Sequence, residues 1–137
     1  MAETFQIEIV TPDKMVVRDV AEEAQIPAKN GYIGVLPGHA PLITELAIGE
    51  ITYRSSGTTT HISVAWGFAE VLPDKVTILA ESAERAEDID LKRAQEAERR
   101  AEERLRGGHT DVDFARALNA LQRAESRIQV AGTVVNR

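Results

Sequence analysis

The spacing of the apolar residues changes over residues 82–94, and this change constrains the fold more than any other feature of the chain. Before it, apolar residues alternate with polar ones and turn residues recur every few positions, which is typical of strands. After it, alanine, glutamate and arginine dominate, and apolar residues recur at spacings of three and four, which is typical of helices. The sequence therefore predicts a β unit over residues 1–84 and a helical unit over residues 85–137.

Several runs in the first unit are read as strands, and turn signals such as Asn30-Gly31 and Ser55-Ser56-Gly57 separate them. Asn-Gly tolerates the positive φ of a tight turn, so a hairpin is expected there. The expected strands cover residues 4–10, 15–17, 24–26, 32–36, 42–46, 49–54, 58–65, 66–72 and 75–80. Short strands at this spacing, with no helical pattern among them, indicate a β sandwich or flattened barrel of about ten antiparallel strands.

The second unit is expected to begin with a helix capped by Asp88, because an aspartate carboxylate can accept hydrogen bonds from the first backbone N–H groups of a helix. This helix runs to about Arg106 and stops at Gly107-Gly108. A second helix follows, with Thr110 or Asp111 as its cap.

Gly132 is the expected end of the second helix. Since the connection between the helices is short, they must form an antiparallel hairpin, so the predicted fold is a β sandwich followed by a C-terminal two-helix hairpin. The residues expected to face across the hairpin are Ala94, Ala97, Ala101 and Leu105 on the first helix, and Phe114, Ala117, Leu118, Leu121, Ala124 and Ile128 on the second. Alanine buries little area, so the hairpin should be only marginally stable unless it docks on another surface.

The net charge of −6 lies entirely before Ser82, where five basic residues face eleven acidic ones, and this argues against a nucleic-acid surface on the sandwich. Ten of the eleven basic residues from Ser82 onward are arginines, whose forked guanidinium groups suit carboxylates and phosphates. No apolar run approaches the roughly 20 residues needed to cross a bilayer. The N-terminus does not resemble a signal peptide, and the chain has no cysteine, so a cytoplasmic location without insertion into a membrane is expected.

The remaining polar residues predict neither an active site nor a metal site. The histidines His39, His61 and His109 are scattered, and none has acidic neighbours at metal-ligand spacing. The serines lack a nucleophile elbow and a matching histidine and acid. We therefore expect a protein that is not an enzyme and that holds no metal or cofactor.

The arginines of the helical unit fall into two arrays. Arg116, Arg123 and Arg127 share one face of the second helix, and Arg93, Arg100 and Arg104 share one face of the first. In a folded hairpin the two arrays could converge on one polyanion. The alternative is two solvated faces with local ion pairs such as Asp90–Arg93 and Glu96–Arg100.

Three motifs resemble the epsilon subunit of bacterial F-type ATP synthases. The first covers residues 31–42 and reads GYIGVLPGHAPL; the second is GFAEV at 67–71, followed by VTILA at 76–80; the third is DVDF at 111–114, with alanines and arginines downstream. They occur in the order of that family and extend over nearly the whole chain. Trp66 stands where many members of the family have glycine.

The resemblance implies a ten-stranded sandwich that binds the gamma subunit and rests on the ring of c subunits. It also implies a helical hairpin that either folds onto the sandwich or extends along gamma toward the catalytic head, where it obstructs rotation in the hydrolytic direction. The chain would then be a non-catalytic rotor subunit of the central stalk in a proton-translocating complex. It would lie at the cytoplasmic face of the bacterial inner membrane, peripheral to the bilayer.

The run Ile89-Asp90-Leu91-Lys92-Arg93-Ala94 matches the ATP-recognition pattern of this family: isoleucine or leucine, aspartate, two variable residues, arginine, alanine. By that match the nucleotide-binding residues would be Glu84, Ile89, Asp90, Arg93, Ala94, Arg100, Arg123 and Arg127. ATP would then be a regulatory ligand that clamps the two helices together and favours the folded, non-inhibitory state. The alternative is that Asp90 and Arg93 form only an ion pair at the start of the helix.

Two further sets of contacts follow from the resemblance. In the extended state Arg116, Arg123 and Arg127 would meet the acidic surface of a catalytic beta subunit. Tyr32 and His39, within the first motif, are candidates for contacts inside the rotor. Two other classes of function stay open on the residues alone: a free-standing ATP-sensing module, and a structural adaptor that binds no ligand.

Overall fold

The computed structural model describes residues 3–107 and 110–135. The strands in these ranges are β1 (Phe5–Val10), β2 (Met15–Ala21), β3 (Glu23–Ala28), β4 (Gly31–Val35), β5 (Leu42–Leu46), β6 (Gly49–Ser55), β7 (Thr58–Val71) and β8 (Lys75–Arg85). A 3-10 turn (Ala86–Asp88) leads to helix α1 (Leu91–Arg106), and helix α2 (Asp111–Val135) follows. The predicted β sandwich with a C-terminal two-helix hairpin is confirmed.

The strands form a continuous hydrogen-bonded sheet that folds over on itself. Its order is β2-β1-β8-β7-β5-β3-β4, and β6 links β7 to β3 a second time. The first half of β7 pairs with β6, and the second half pairs with β5. One long strand therefore belongs to both layers of the sandwich.

The described strands number eight rather than about ten. Residues 58–65 and 66–72 were predicted as separate strands, but β7 runs through both segments and bends at Trp66, where φ is 51°. Strand β8 continues past the predicted end at Ala80, because residues 82–85 still pair with β7. Strands β1 and β8 pair in parallel, whereas all strands of the predicted sandwich were antiparallel. The predicted hairpin at Asn30 joins β3 to β4, and Gly31 has a φ of 128°.

The core lies between the two layers and consists of alternate, inward-facing side chains of the strands. Its largest fully buried members are Tyr53, Ile7, Ile9, Ile26, Ile51, Ile62, Ile78, Val17, Val35, Val64, Val71 and Val76. The hydroxyl group of Tyr53 donates a hydrogen bond of 2.9 Å to Asp19 Oδ2. Burial, and next the bond to Asp19, raises the pKa of Tyr53 above its ordinary value of 10.0.

Helix α1 begins after a short irregular segment. The prediction of Asp88 as N-cap is wrong: Asp88 ends the 3-10 turn, and the Asp90 carboxylate caps α1 by accepting a 3.1 Å hydrogen bond from the backbone N–H of Arg93. Ile89 lies between them in an extended conformation and is buried in a small cluster with Val130. Because Ile89 is held in an extended conformation by its burial, the helix begins after it and not at Asp88. The predicted end of α1 at Gly107 is confirmed.

Helix α2 is capped by Thr110, whose Oγ1 accepts a 3.2 Å hydrogen bond from the backbone N–H of Asp113. The prediction that Gly132 ends this helix is wrong, since α2 continues beyond it. The reason is tertiary: Val134 packs against the buried cluster that contains Ile89, which holds the last turn in place.

The seam between the helices is built from small side chains. Phe114 and Leu118, predicted to face the seam, are 49% and 37% exposed, so neither is a buried member of it. They lie beside the line of alanines that allows the two helices to approach each other. The alanines of α1 and α2 that are buried to 2% exposure or less are Ala94, Ala101, Ala117 and Ala124. Neither helix, over its described residues, has a segment both long and apolar enough to cross a membrane.

Candidate anion-binding site

A cavity of about 400 Å³ lies between the sandwich and the helical hairpin, and we call it the arginine cavity. Small residues leave this space open. On the sandwich side it is lined by Ser63, Val64, Ala65, Ser82 and Glu84. The two helices line it with Ala97, Ala101, Ala120, Ala124, Arg100, Arg104, Arg123 and Arg127.

Helical periodicity brings the arginines to this cavity. Arg100 and Arg104 are one turn apart on α1, and Arg123 and Arg127 are one turn apart on α2, so each pair shares a helix face. The hairpin places the two faces on opposite sides of the same space. Among the described residues no side-chain ion pair joins Arg100 to Glu96.

Among the described residues that line the cavity, Glu84 carries the one carboxylate that faces these four guanidinium groups. Glu84 Oε1 accepts a 2.7 Å hydrogen bond from Arg127 Nε, and the two side chains are 38% and 24% exposed. Within the described ranges Arg100 and Arg104 form no ion pair. The cavity therefore has an excess of positive charge. Its N–H groups could donate hydrogen bonds to the oxygen atoms of a carboxylate or phosphate group.

Arg123 has an aromatic neighbour, and in the part of the chain that the structure describes it forms no ion pair. Its Cζ atom lies over the indole ring of Trp66, 5.4 Å from the ring centroid. A guanidinium group in this position is attracted by the negative face of the ring. The contact joins α2 to the bend of β7.

A buried pair of serines provides a second link between α2 and the sandwich. Ser126 Oγ donates a 3.1 Å hydrogen bond to the backbone oxygen of Gly49 and lies 2.9 Å from Ser63 Oγ. A hydroxyl group has one proton to donate. Since Ser126 donates its proton to Gly49, Ser63 must donate to Ser126.

The structure brings together half of the residues predicted to bind a nucleotide. Glu84, Arg100, Arg123 and Arg127 line the arginine cavity. The other four, Ile89, Asp90, Arg93 and Ala94, lie outside its lining, at the start of α1.

These four residues have structural roles in the folded hairpin. Ala94 is fully buried in the seam, and Ile89 is 9% exposed within the small cluster at the base of α2. The Asp90 carboxylate binds the backbone of Arg93, whose side chain is exposed, so the described contact is a helix cap rather than a side-chain ion pair. Whether the four also contact a nucleotide stays a prediction.

The nucleotide-binding prediction did not include Arg104, which lines the cavity, or Trp66 and Ser126, which contact Arg123 and Ser63 of its lining. Arg104 belongs to the arginine array of α1, and its spacing of four from Arg100 was the available signal. Trp66 and Ser126 gave no local signal, because each acts through a partner more than 50 positions away in the chain.

The remaining predicted contact residues lie elsewhere on the surface. Tyr32 is 57% exposed, although its hydroxyl oxygen accepts a 2.9 Å hydrogen bond from the backbone N–H of Glu50. His39 Nδ1 lies 2.7 Å from the backbone oxygen of Ala40. Arg116 is exposed on α2, away from the arginine cavity.

Neighbouring strands of the sandwich present apolar side chains to solvent. Ile43 on β5, Phe68 on β7 and Leu79 on β8 are 70%, 53% and 56% exposed. Phe68 and Leu79 are direct cross-strand partners. Contiguous exposed apolar groups on a soluble domain are typical of an interaction site, and we call these three residues the apolar face.

In the described ranges no three His, Asp or Glu side chains are placed so that they could hold a metal ion. The Nδ1 atom of His61 instead lies 3.0 Å from Glu50 Oε2. His109 lies outside the described residues.

Two protein families match the chain over nearly its whole length. The family described as ATP synthase, Delta/Epsilon chain, beta-sandwich domain matches residues 4–86. The family described as ATP synthase, Delta/Epsilon chain, long alpha-helix domain matches residues 87–132.

Relatives and solved structures agree with these matches. The chain is 72% identical over 105 residues to the ATP synthase epsilon chain of Koribacter versatilis, covering 77% of this chain and 74% of the relative. It is 51% identical over 105 residues to the ATP synthase epsilon chain of Nitratidesulfovibrio vulgaris, covering 77% of this chain and 78% of the relative.

A chain in the cryo-EM structure of the Euglena gracilis mitochondrial ATP synthase shares the fold. Its TM-score is 0.80 at 21% identity, covering 93% of this chain and 81% of that chain. The sandwich, the hairpin, the family matches and the close relatives lead to one assignment. The chain belongs to the epsilon-chain family of the F-type ATP synthases.

Proposed function

We propose that the chain is a rotor subunit in the central stalk of an F-type, proton-translocating ATP synthase, where it couples gamma to the c-ring and inhibits ATP hydrolysis through its C-terminal helices. It carries out no catalysis itself. Residues 1–84 form the part that contacts the stalk and ring, and residues 85–137 form the regulatory part. Membership of the epsilon-chain family supports this proposal.

The arginine cavity is the observation that carries the regulatory part of the proposal. Its lining comes from the sandwich, from α1 and from α2, so a ligand inside it contacts all three at once. Such a ligand stabilises the folded arrangement over any state in which the helices leave the sandwich. Four guanidinium groups against one carboxylate suit a triphosphate. ATP therefore favours the folded, non-inhibitory state.

A calorimetric titration of ATP into the isolated protein tests the ligand. We expect saturable one-to-one binding that the Arg100→Gln/Arg127→Gln variant loses, because it removes one phosphate donor from each helix. Arg99→Gln/Arg116→Gln is the matched control: it also removes one positive charge from each helix, at exposed positions outside the cavity lining, and should leave the affinity unchanged. Equal loss in the variant and the control would show that ATP responds only to overall charge.

The motif at the start of α1 is tested separately. We include Asp90 and Arg93 in the nucleotide site, so Asp90→Ala/Arg93→Ala should also lower the affinity for ATP. Circular dichroism of that variant shows whether α1 remains folded. Unchanged ATP binding would remove the motif from the site while leaving the arginine cavity in place.

Inhibition requires the helices to leave the sandwich and reach a catalytic beta subunit. We assign that contact to Arg116, Arg123 and Arg127, because guanidinium groups complement an acidic surface. Replacing all three with alanine should relieve inhibition of ATP hydrolysis by the assembled enzyme. Undiminished inhibition would place the contact elsewhere on the helices.

We assign the gamma contact to the apolar face and the ring-side contacts to Tyr32 and His39. The subunit would then be held at the cytoplasmic face of the bacterial inner membrane through the complex. Phe68→Asp should abolish co-purification with gamma, whereas Val20→Asp should not, since Val20 is a 47% exposed apolar residue on a different strand, β2. Loss of gamma in both variants would indicate a general effect of added charge.

A further inference from the structure

We infer that Trp66 is a positioning residue for the arginine cavity: its indole ring holds the Arg123 guanidinium group where an anion can accept hydrogen bonds from it. The inference rests on the proposed function for its ligand, ATP, and adds a residue that the nucleotide pattern does not contain. Three features of the fold lead to it: the backbone of Trp66, the placement of its ring and the partners of Arg123.

Trp66 lies where β7 passes from one layer of the sandwich to the other. Val64 is the last residue of β7 to pair with β6, and Gly67 is the first to pair with β5. The strand turns between them with a φ of 51° at Trp66 and 121° at Gly67. The Trp66 N–H donates a 3.4 Å hydrogen bond to the backbone oxygen of Ala47, which ties the corner to the β5–β6 connection.

A positive φ is unfavourable for a bulky side chain, so the surroundings must hold this conformation. The half-buried indole ring meets α2 from this corner. It lines a second cavity, of about 440 Å³, which also lies between the sandwich and α2. The ring is therefore placed by a corner of the backbone that the hydrogen bond to Ala47 helps to hold.

Arg123 connects the arginine cavity to the Trp66 ring. Its side chain lines the arginine cavity, and its Cζ atom sits 5.4 Å from the centroid of the Trp66 ring. In the described part of the chain it forms no ion pair with a carboxylate. The ring attracts the charge of the guanidinium group but accepts no conventional hydrogen bond from its N–H groups. Those donors therefore remain available to oxygen atoms in the arginine cavity.

The consequence is pre-organisation. A free arginine side chain loses rotamer freedom when it binds an anion, and this loss weakens binding. Trp66 restricts Arg123 before the ligand arrives. Removing the ring should therefore weaken ATP binding about threefold to tenfold, the range that corresponds to a cation–π contact at a partly exposed site.

A double-mutant cycle tests the inference. Calorimetry measures ATP affinity for the full chain, Trp66→Gly, Arg123→Gln and the double variant. Glycine is chosen because it accepts the positive φ of the corner, so the ring is removed without new backbone strain. Trp66→Phe keeps an aromatic face and should restore most of the affinity. Since the chain has one tryptophan, its fluorescence also reports on this contact directly.

Three outcomes support the inference. Trp66→Gly should weaken ATP binding when Arg123 is present and should cause no further weakening in the Arg123→Gln variant. ATP should also change the fluorescence emission of Trp66, and Arg123→Gln should abolish that change. The same loss in both backgrounds, or no loss in either, would overturn it while leaving ATP binding intact. If the unmodified chain binds no ATP, the proposed ligand fails as well, and the two failures are thus distinguishable.

Discussion

Replacing Ser126 with alanine should loosen the docking of α2 on the sandwich, and it should do so more than replacing Ser63. The two hydroxyl groups and the Gly49 carbonyl form a directed chain, in which Ser63 donates to Ser126 and Ser126 donates to Gly49. Ser126 takes part in both bonds, whereas Ser63 takes part in one. Both serines are buried, at 9% and 7% exposure, so water does not readily replace a lost partner.

The size of the effect follows from this arrangement. A buried hydrogen bond contributes about 1 kcal/mol net, so Ser126→Ala removes about 2 kcal/mol and Ser63→Ala about 1 kcal/mol. Alanine is the better helix former by about 0.5 kcal/mol, which reduces the effect of Ser126→Ala to about 1.5 kcal/mol. The double variant should resemble Ser126→Ala, because the shared bond is lost only once and the pair is coupled by about 1 kcal/mol.

Amide hydrogen exchange of α2 measures this docking free energy separately from the unfolding of the sandwich. We expect protection in α2 to fall about tenfold in Ser126→Ala, since 1.4 kcal/mol corresponds to a factor of ten. Gln129→Ala, at an exposed position of the same helix, is the control for the alanine substitution itself. An equal effect of the two serine variants, or additive effects in the double variant, would refute the directed chain.

Three further predictions concern the scaffold. Gly67→Ala should destabilise the sandwich by more than ~2 kcal/mol in chemical denaturation, because φ is 121° and an added Cβ would collide with the backbone of β8. Asp90→Ala should lower the stability of α1 by about 1 kcal/mol, seen as loss of helical signal, because its N-cap hydrogen bond is removed. Stability should fall as pH rises above 10.0, since the unfolded chain loses the Tyr53 proton first while the folded state retains it.

Each of these predictions has a control that could contradict it. Gly34→Ala should be nearly neutral, because an added Cβ meets no atom within 4 Å and φ is not positive there. Asp88→Ala should lower the helical signal of α1 less than Asp90→Ala does. Equal losses would indicate that Asp88 also acts as an N-cap. Tyr53→Phe should flatten the fall in stability at high pH; an unchanged profile would assign that fall to other groups.

Local patterns were sufficient to predict most of the scaffold. Alternating apolar residues located the strands, because a half-buried strand exposes every second side chain. The two helices and the end of α1 at Gly107 followed from period and composition. The bend at Trp66 did not follow, since a positive φ at tryptophan has no sequence signal.

The errors at the helix ends have tertiary causes. Asp88 and Asp90 are equally good caps on local grounds, and the choice depends on the burial of Ile89, which packs against a helix about 40 residues later. Gly132 is a reasonable helix stop, but the contacts of Val134 hold the following turn. Neither contact is visible in the local sequence.

The candidate site was predictable only in part. Arginine spacing predicted which residues share a helix face, and a short loop predicted that the faces meet. Which arginines surround one space depends on where α2 docks, and that position is set by Ser63, Ser126 and the Trp66 corner. Of the predicted α1 array, Arg104 lines the cavity and Arg93 does not.

In the proposed function the hairpin inhibits only when it leaves the sandwich, and a reversible lock tests this most directly. The chain has no cysteine, and the Oγ atoms of Ser63 and Ser126 lie 2.9 Å apart, so Ser63→Cys/Ser126→Cys places two thiols near disulfide distance. The measurement is ATP hydrolysis by the assembled synthase containing this variant, oxidised or reduced, with each single variant as control. We expect the oxidised form to be uninhibited and the reduced form to be inhibited like the single variants. Equal inhibition in both forms would contradict the account, because a hairpin locked onto the sandwich would then be inhibitory.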